Sequence, residues 1–200
     1  MGVTVDDVSL EVDRLGLSTV GEVLSHVARG NRLVVQLLLD GSEPDLGRID
    51  ILRSETLSGR TLFIETVQPL DIARDVLESV GESMREADAL RIDAAEQFRA
   101  GQASAALQKL SGCFALWING QDSIGKVAKL LKLDLTRVQV DTRSAEELVA
   151  GFAGQLRQLR DALEARDHVL CCDVLTYDME STRQDWEALV EALLLKAQAA

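Results

Sequence analysis

Aromatic side chains make up only 4% of this 200-residue chain, and there are only two prolines. A core with so few rings has to come from Leu, Val, Ile and Ala, and hydrophobic residues at 46% suffice to build one. Few prolines mean few interruptions of the helical hydrogen-bond ladder. The three cysteines, two of them adjacent at Cys171-Cys172, do not form a disulfide framework and point to a reducing compartment. Positive charge is also short. With 21 Lys and Arg against 33 Asp and Glu, the net charge is −12. No basic arm or face is available to neutralise nucleic-acid phosphates or an anionic bilayer. The chain also lacks an apolar run near the ~20 residues of a membrane-spanning helix. The longest candidates, Leu33–Leu39 and Leu189–Leu195, each contain a polar residue. The N-terminus has no basic-then-apolar signal pattern, and Asp6 stands where a myristoylation motif has Ser or Thr. These absences predict a cytoplasmic protein.

The first third alternates. Val3 and Val5, then Val8, Leu10 and Val12, repeat at a period of two around Asp6-Asp7, which predicts a hairpin. Thr19 and Glu22 have capping-box spacing, in which each side chain satisfies a free backbone N–H at a helix start. Val20, Val23, Leu24 and Val27 line one face of that helix, and Gly30-Asn31 ends it. The run Arg32–Asp40 predicts a central strand buried on both faces. Gly41–Gly47 has loop chemistry, and Arg48–Leu52 is a short-strand candidate. Thr61–Val67 predicts a strong strand with Leu62, Ile64 and Thr66 on one face.

Hairpin, helix, strand, short strand and final strand, in that order, resemble the β-grasp or ubiquitin-like fold over residues 1–68. The resemblance rests on Val3 to Val12, the helix Thr19–Ala28 and the strands Leu33–Leu39 and Thr61–Val67. β-grasp modifiers and sulfur carriers act through a free Gly-Gly tail. Here the last strand runs into Gln68-Pro69 and a helix, so the resemblance implies the family's other use, contact with another protein.

Residues 69–200 predict four amphipathic helices. Pro69 suits a first helical position. Ala73, Val76, Leu77, Val80, Met84 and Ala87 form the first stripe, running on through Phe98 to Gly101. Leu107, Leu110, Phe114, Trp117, Ile124 and Leu131 form a second seam, with Gln121 at a position that asks for an apolar side chain. Leu133–Val140 reads either as an extended connector or as the tail of that helix. Ser144 and Glu147 make a second capping box, before Leu148, Phe152, Leu156, Leu159 and Leu163. A fourth helix from His168 to Leu195 places Cys171, Leu175, Met179, Trp186, Leu189, Val190 and Leu193 inward. Short connections favour antiparallel packing. Phe98, Gly101, Ala106, Leu107 and Leu110 echo a tetratricopeptide junction, but only once, so an ordinary helical hairpin is the better reading. In helix count, size and acidity, with the Gly101 turn and Asp185-Trp186, this region is loosely similar to the cytoplasmic chaperone that carries flagellin to its export apparatus.

Chemistry is thin. His168, Cys171 and Cys172 share a stretch of helix that Cys113 could approach, and zinc takes such ligands in fours. Buried structural cysteine is the commoner arrangement, and adjacent Cys171 and Cys172 point to different sides of a helix. Asp173, Asp178 and Glu180 lie near a core face, but di-metal bundles use Glu-x-x-His pairs, and neither His26 nor His168 has a Glu three positions before it. Gln121 could be a register device, an interface contact or a surface residue. Trp117 and Trp186 read as core. No P-loop, dinucleotide glycine fingerprint, nucleophile elbow or zinc-protease helix is present.

The sequence therefore predicts an α+β chain, a β-grasp-like domain at 1–68 followed by a four-helix antiparallel bundle at 69–200. It predicts a non-enzymatic interaction module whose partner is another protein or a second copy, without nucleic acid, membrane, metal or cofactor. The alternative is a metal-binding or catalytic bundle using the acidic or His/Cys residues.

Overall fold

Four N-terminal segments pair into one mixed sheet. A computed structural model of the chain describes residues 2–198, without the side chains of residues 46, 197 and 198. Strands β1 (Gly2–Val5) and β2 (Val8–Ser9) form an antiparallel hairpin. Its turn residues Asp6 and Asp7 have φ of 50° and 62°, a left-handed backbone that a short polar side chain tolerates. After α1 (Val12–Leu15) come α2 (Val20–Arg29), β3 (Leu33–Leu39), α3 (Ile49–Ser54) and β4 (Thr61–Val67). The strand order is β2-β1-β4-β3, with β4 parallel to β1 and antiparallel to β3.

Local chemistry explains most of these elements. Both halves of the Thr19–Glu22 capping box are made, and Asn31 takes a left-handed φ of 53° just past the helix end. Leu62, Ile64 and Thr66 of β4 are buried, as the alternation predicts. Leu62 and Ile64 share one core with Val3 of β1 and with Val20, Val23 and Val27 of α2. Each fully buried Val, Leu or Ile contributes about 1.5–3 kcal/mol of transfer free energy.

Three expectations are corrected. The run Leu33–Leu39 is an edge strand, not a central one: β4 fills the middle of the sheet, and only Leu37 of β3 is buried. Arg48–Leu52 is not a strand, because a 3-10 turn at Leu46–Arg48 leads directly into α3. Its Ile49 and Leu52 are three apart and share a helix face. The alternation at Val8, Leu10 and Val12 gives only a two-residue strand, since Val12 already opens α1.

Two compact units divide the chain, Met1–Ile72 and Ala73–Ala200. The second is mostly helical. It contains most of α4 (Pro69–Arg99), then α5 (Ala103–Leu130), a small hairpin of β5 (Gln139–Val140) and β6 (Arg143–Ser144), and α6 (Ala145–Glu164). Helix α4 turns into α5 at Gly101, whose φ is 72°. The Ser144–Glu147 capping box is complete at the start of α6. Residues 133–140 are the extended connector rather than more helix, with a 3-10 turn at Leu135–Arg137. The last predicted helix is broken: α7 (His168–Asp173) widens into a π-helical turn at Val174–Asp178, and α8 (Thr182–Gln198) starts afresh. Its inward set, Cys171, Leu175, Met179, Trp186, Leu189, Val190 and Leu193, is buried as predicted.

The α5 seam differs from the predicted one by one residue on its flank. Leu110, Trp117 and Ile124 are buried, but the residues beside them in the core are Ala106, Cys113, Gly120 and Val127. Leu107 is exposed and Gln121 is half-buried. Small side chains let α5 lie close on α4: a β-carbon at Gly120 would stand 2.2 Å from Met84 Cε. The Cys113 thiol donates to the Ala87 carbonyl at 3.1 Å, and Lys109 pairs with Asp93 at 2.9 Å. Residues rising along α5 meet residues falling along α4, so the two helices are antiparallel.

Candidate functional site

The metal and acid–base candidates weighed as the alternative form no ligand cluster among the described residues, although His168, Cys172 and Asp173 line one surface groove beside Phe98 and Arg99. His168 is exposed and stacks its ring 5.3 Å from Phe98. Cys113 and Cys172 approach the carbonyls of Ala87 and Ala95, at 3.1 and 3.6 Å. Those carbonyls stand eight residues apart on α4, about 12 Å along its axis. Burial pushes the Cys113 thiol up to about 12, with the Asp88 charge adding to it and Arg91 opposing, so thiolate is disfavoured there. Burial also raises Cys171, helped by Asp167. Asp173 and Glu180 are exposed, and Asp178 accepts from Gln158 Nε2 at 3.0 Å. Among the described residues, no three His, Cys, Asp or Glu side chains are grouped to hold a metal ion. Trp117 and Trp186 are buried in an edge-to-face series with Phe114 and Phe152, at ring separations of 5.1 to 5.7 Å.

The helical unit also holds polar groups that satisfy one another. A cavity of about 120 Å³ lies among α6, α8 and the residues just before α8. At its rim Arg143 pairs with Asp185 at 2.5 Å, and Thr182 donates to Gln155 Oε1 at 3.2 Å. Gln155 donates in turn to the Asp178 carbonyl at 2.5 Å. Deeper in the unit, buried Arg91 pairs with Asp88 at 2.7 Å and donates to the Leu175 carbonyl. The Arg91 guanidinium and the Asp88 carboxylate satisfy each other, as buried charge requires, whereas the Arg143–Asp185 pair at the cavity rim is partly exposed.

The N-terminal unit presents the opposite. Beside β3 lies an open groove of about 330 Å³, walled by Leu24 of α2, Val34, Val35 and Leu37 of β3, Pro44, and Ile49 and Leu52 of α3. Val34 is 38% exposed, Val35 52% and Ile49 40%, and Ile51 on α3 reaches 59%. A β-bulge between Val34 and Gln36 puts the extra residue at Val35, which throws the strand out of strict alternation. Glu43 is the one charged residue among those lining the groove, and its carboxylate has no ion pair or hydrogen bond among the described residues.

The edge beyond β3 is open along half its length. On β4, Ile64 O accepts from Asp6 N and Thr66 N donates to Asp6 Oδ1, so both residues turn their backbone groups toward β1. Their register partners on β3, Leu37 and Val34, therefore turn theirs outward. At the far end, Leu39 and Ser42 exchange backbone hydrogen bonds of 2.9 and 3.1 Å and close the edge there. Among the described residues, no further backbone hydrogen bond covers the outward groups of Val34 and Leu37.

Sequence reasoning missed this groove because it read the apolar run 32–40 as doubly buried. A usable signal was present: Pro44 with Gly41 and Gly47 makes a loop after the run, and once Thr61–Val67 takes one edge only the short 48–52 segment follows to pair the other. Among the described residues, no helix is long and apolar enough to cross a membrane. No protein-family model, curated protein or solved structure matches this chain.

Proposed function

We propose that the chain is a non-enzymatic intracellular interaction module, an adaptor or chaperone-like scaffold, that docks another protein on its N-terminal unit. In this reading the N-terminal unit is a β-grasp-type domain. Its support is a hairpin followed by a helix packed on the sheet, then β3, with the last strand inserted beside β1 and parallel to it. The helical unit is read as a four-helix antiparallel bundle, with α7 and α8 together forming the fourth arm.

The observation that carries the proposal is the groove beside β3, where Val34, Val35 and Ile49 stay exposed around a concave apolar surface. Clustered exposed aliphatics rimmed by polar residues mark contact surfaces. In the helical unit Arg91, Asp88, Gln155 and Asp185 already have partners, and Gln97 Oε1 is the buried side-chain oxygen left without one among the described residues.

The test is quantitative affinity capture with three baits: the wild type, Val35→Asp combined with Ile49→Asp, and Ile118→Asp on the exposed side of α5. Since all three positions are exposed, each change costs about 1 kcal/mol of stability or less. A partner retained by wild type and by Ile118→Asp, but lost from the groove variant, is the expected result. Identical retention by all three baits contradicts the proposal.

A further inference from the structure

We infer that the groove takes an extended segment of its partner, added as a strand to the open half of β3, with aliphatic side chains in the groove and a Lys or Arg facing Glu43. This rests on the reading of the groove as a docking surface and names the kind of chain that fits it.

Three observations converge. First, Val34 and Leu37 turn backbone N–H and C=O groups outward, while the same edge is closed at Leu39 by Ser42. Uncovered strand edges bind extended chains through main-chain hydrogen bonds, and flanking pockets for alternate side chains give selectivity. Second, a pocket lies beside that open half: Leu24, Leu37 and Leu52 floor it, and Val34, Val35 and Ile49 rim it. Side chains of an added strand alternate, so every second residue would enter the groove while the others face water. Third, Glu43 is unpaired, whereas the charges at the two ends of β3 are already engaged. Arg32 pairs with Asp6 at 3.0 Å, and Asp40 accepts from Thr61 N at 2.9 Å and lies 3.6 Å from Arg60. A single free carboxylate on an apolar groove selects a cation on the incoming chain.

The same charges weigh against a second copy as the occupant. Strand β3 of a copy, Leu33–Leu39, contains no Lys or Arg to meet Glu43, and the Arg32 that precedes it is held by Asp6 and Thr66. The bulge at Val35 also spaces the outward groups of Val34 and Leu37 more widely than a regular edge, which works against indiscriminate sheet-to-sheet pairing.

The experiment is selection of a displayed library of short random peptides on the full chain, followed by synthesis of the enriched peptide and its titration into ¹⁵N-labelled protein. Enriched peptides are expected to alternate aliphatic residues and to carry Lys or Arg. On binding, the Val34 and Leu37 amides should slow in hydrogen exchange. Glu43→Lys should weaken a basic peptide about fivefold and favour its acidic counterpart, an effect of the size an exposed ion pair produces. Failure to enrich peptides above the display background overturns strand addition, as do bound peptides that leave those two amides unprotected or show no charge preference. Concentration-dependent protection of the same amides without peptide identifies a second copy as the occupant and overturns it too. In each of these outcomes a partner lost from the groove variant in the capture experiment would still support docking, so failure of the strand mode is distinguishable from failure of the docking surface.

Discussion

Arg91 donates through Nη1 to the main-chain carbonyl of Leu175, a residue of the π-helical turn Val174–Asp178. The same guanidinium holds Asp88 Oδ1 at 2.8 Å from Nε and 2.7 Å from Nη2. A π turn moves carbonyls out of the regular helical ladder, and this one finds its donor in a side chain from α4. The Arg91 side chain is only 7% exposed, so both of its acceptors lie in a poorly hydrated setting. Arg91→Met would keep much of the volume but leave the Leu175 carbonyl without its donor and the Asp88 carboxylate with only Arg183, 3.9 Å away. The expected loss is about 3 kcal/mol, seen as a lower urea midpoint with an unchanged slope. Arg91→Lys keeps the charge without the planar fork and should recover only part of it. A midpoint unchanged in Arg91→Met would show that the turn does not depend on this contact.

Asp6 ties the β1–β2 turn to β4. Its carboxylate accepts from the Thr66 hydroxyl and the Thr66 N–H, both at 2.7 Å, and these two bonds hold its pKa below the usual 3.8, with a smaller pull from Arg32 and an opposing push from burial. A carboxyl depressed in the folded state stabilises the fold above its unfolded pKa, and that stability is lost as pH falls through the folded value. Asp6→Asn keeps a residue that accepts the positive φ at this turn. The variant should melt below wild type at neutral pH, and the gap should narrow as pH drops below 3.8. A gap of constant size across that range would assign the effect to the turn and not to the charge.

Thiol labelling gives a second readout of the helical core. Cys113 is fully buried, donates to the Ala87 carbonyl and has its pKa pushed up to about 12. Alkylation at mildly alkaline pH, followed by mass mapping, should leave Cys113 unmodified in the native protein and label it after denaturation. Labelling of native Cys113 at the unfolded rate would contradict the close packing of α5 on α4.

The parts of the fold legible in the sequence were those where one residue's chemistry is local. Thr19–Glu22 and Ser144–Glu147 announce helix starts because a capping box needs only four residues in register. Thr61–Val67 alternates because only one face of β4 meets the core. The rest depends on neighbours distant in sequence. An apolar run such as 33–39 reads the same at the centre of a sheet or at its edge, and β4 decides which. In α5, periodicity selected large Leu107 and Phe114 for the flank of the seam. The packing instead took Ala106, Cys113 and Gly120 there, because small side chains let a second helix approach. Gln121, placed in the seam by spacing, is only half-buried for that reason. The groove was illegible as a site because it is made where α2, β3 and α3 fail to cover one another, and hydrophobic pattern alone does not show such a gap.

Hydrogen–deuterium exchange on the full chain, alone and with the purified captured partner, tests docking on the β3 groove most directly. Protection on binding should concentrate in 33–39 and 43–52, the stretches that carry Val34, Val35, Leu37, Glu43, Ile49 and Leu52. Protection confined to α5, α6 or α8, with 33–39 exchanging at the free-protein rate, would contradict it.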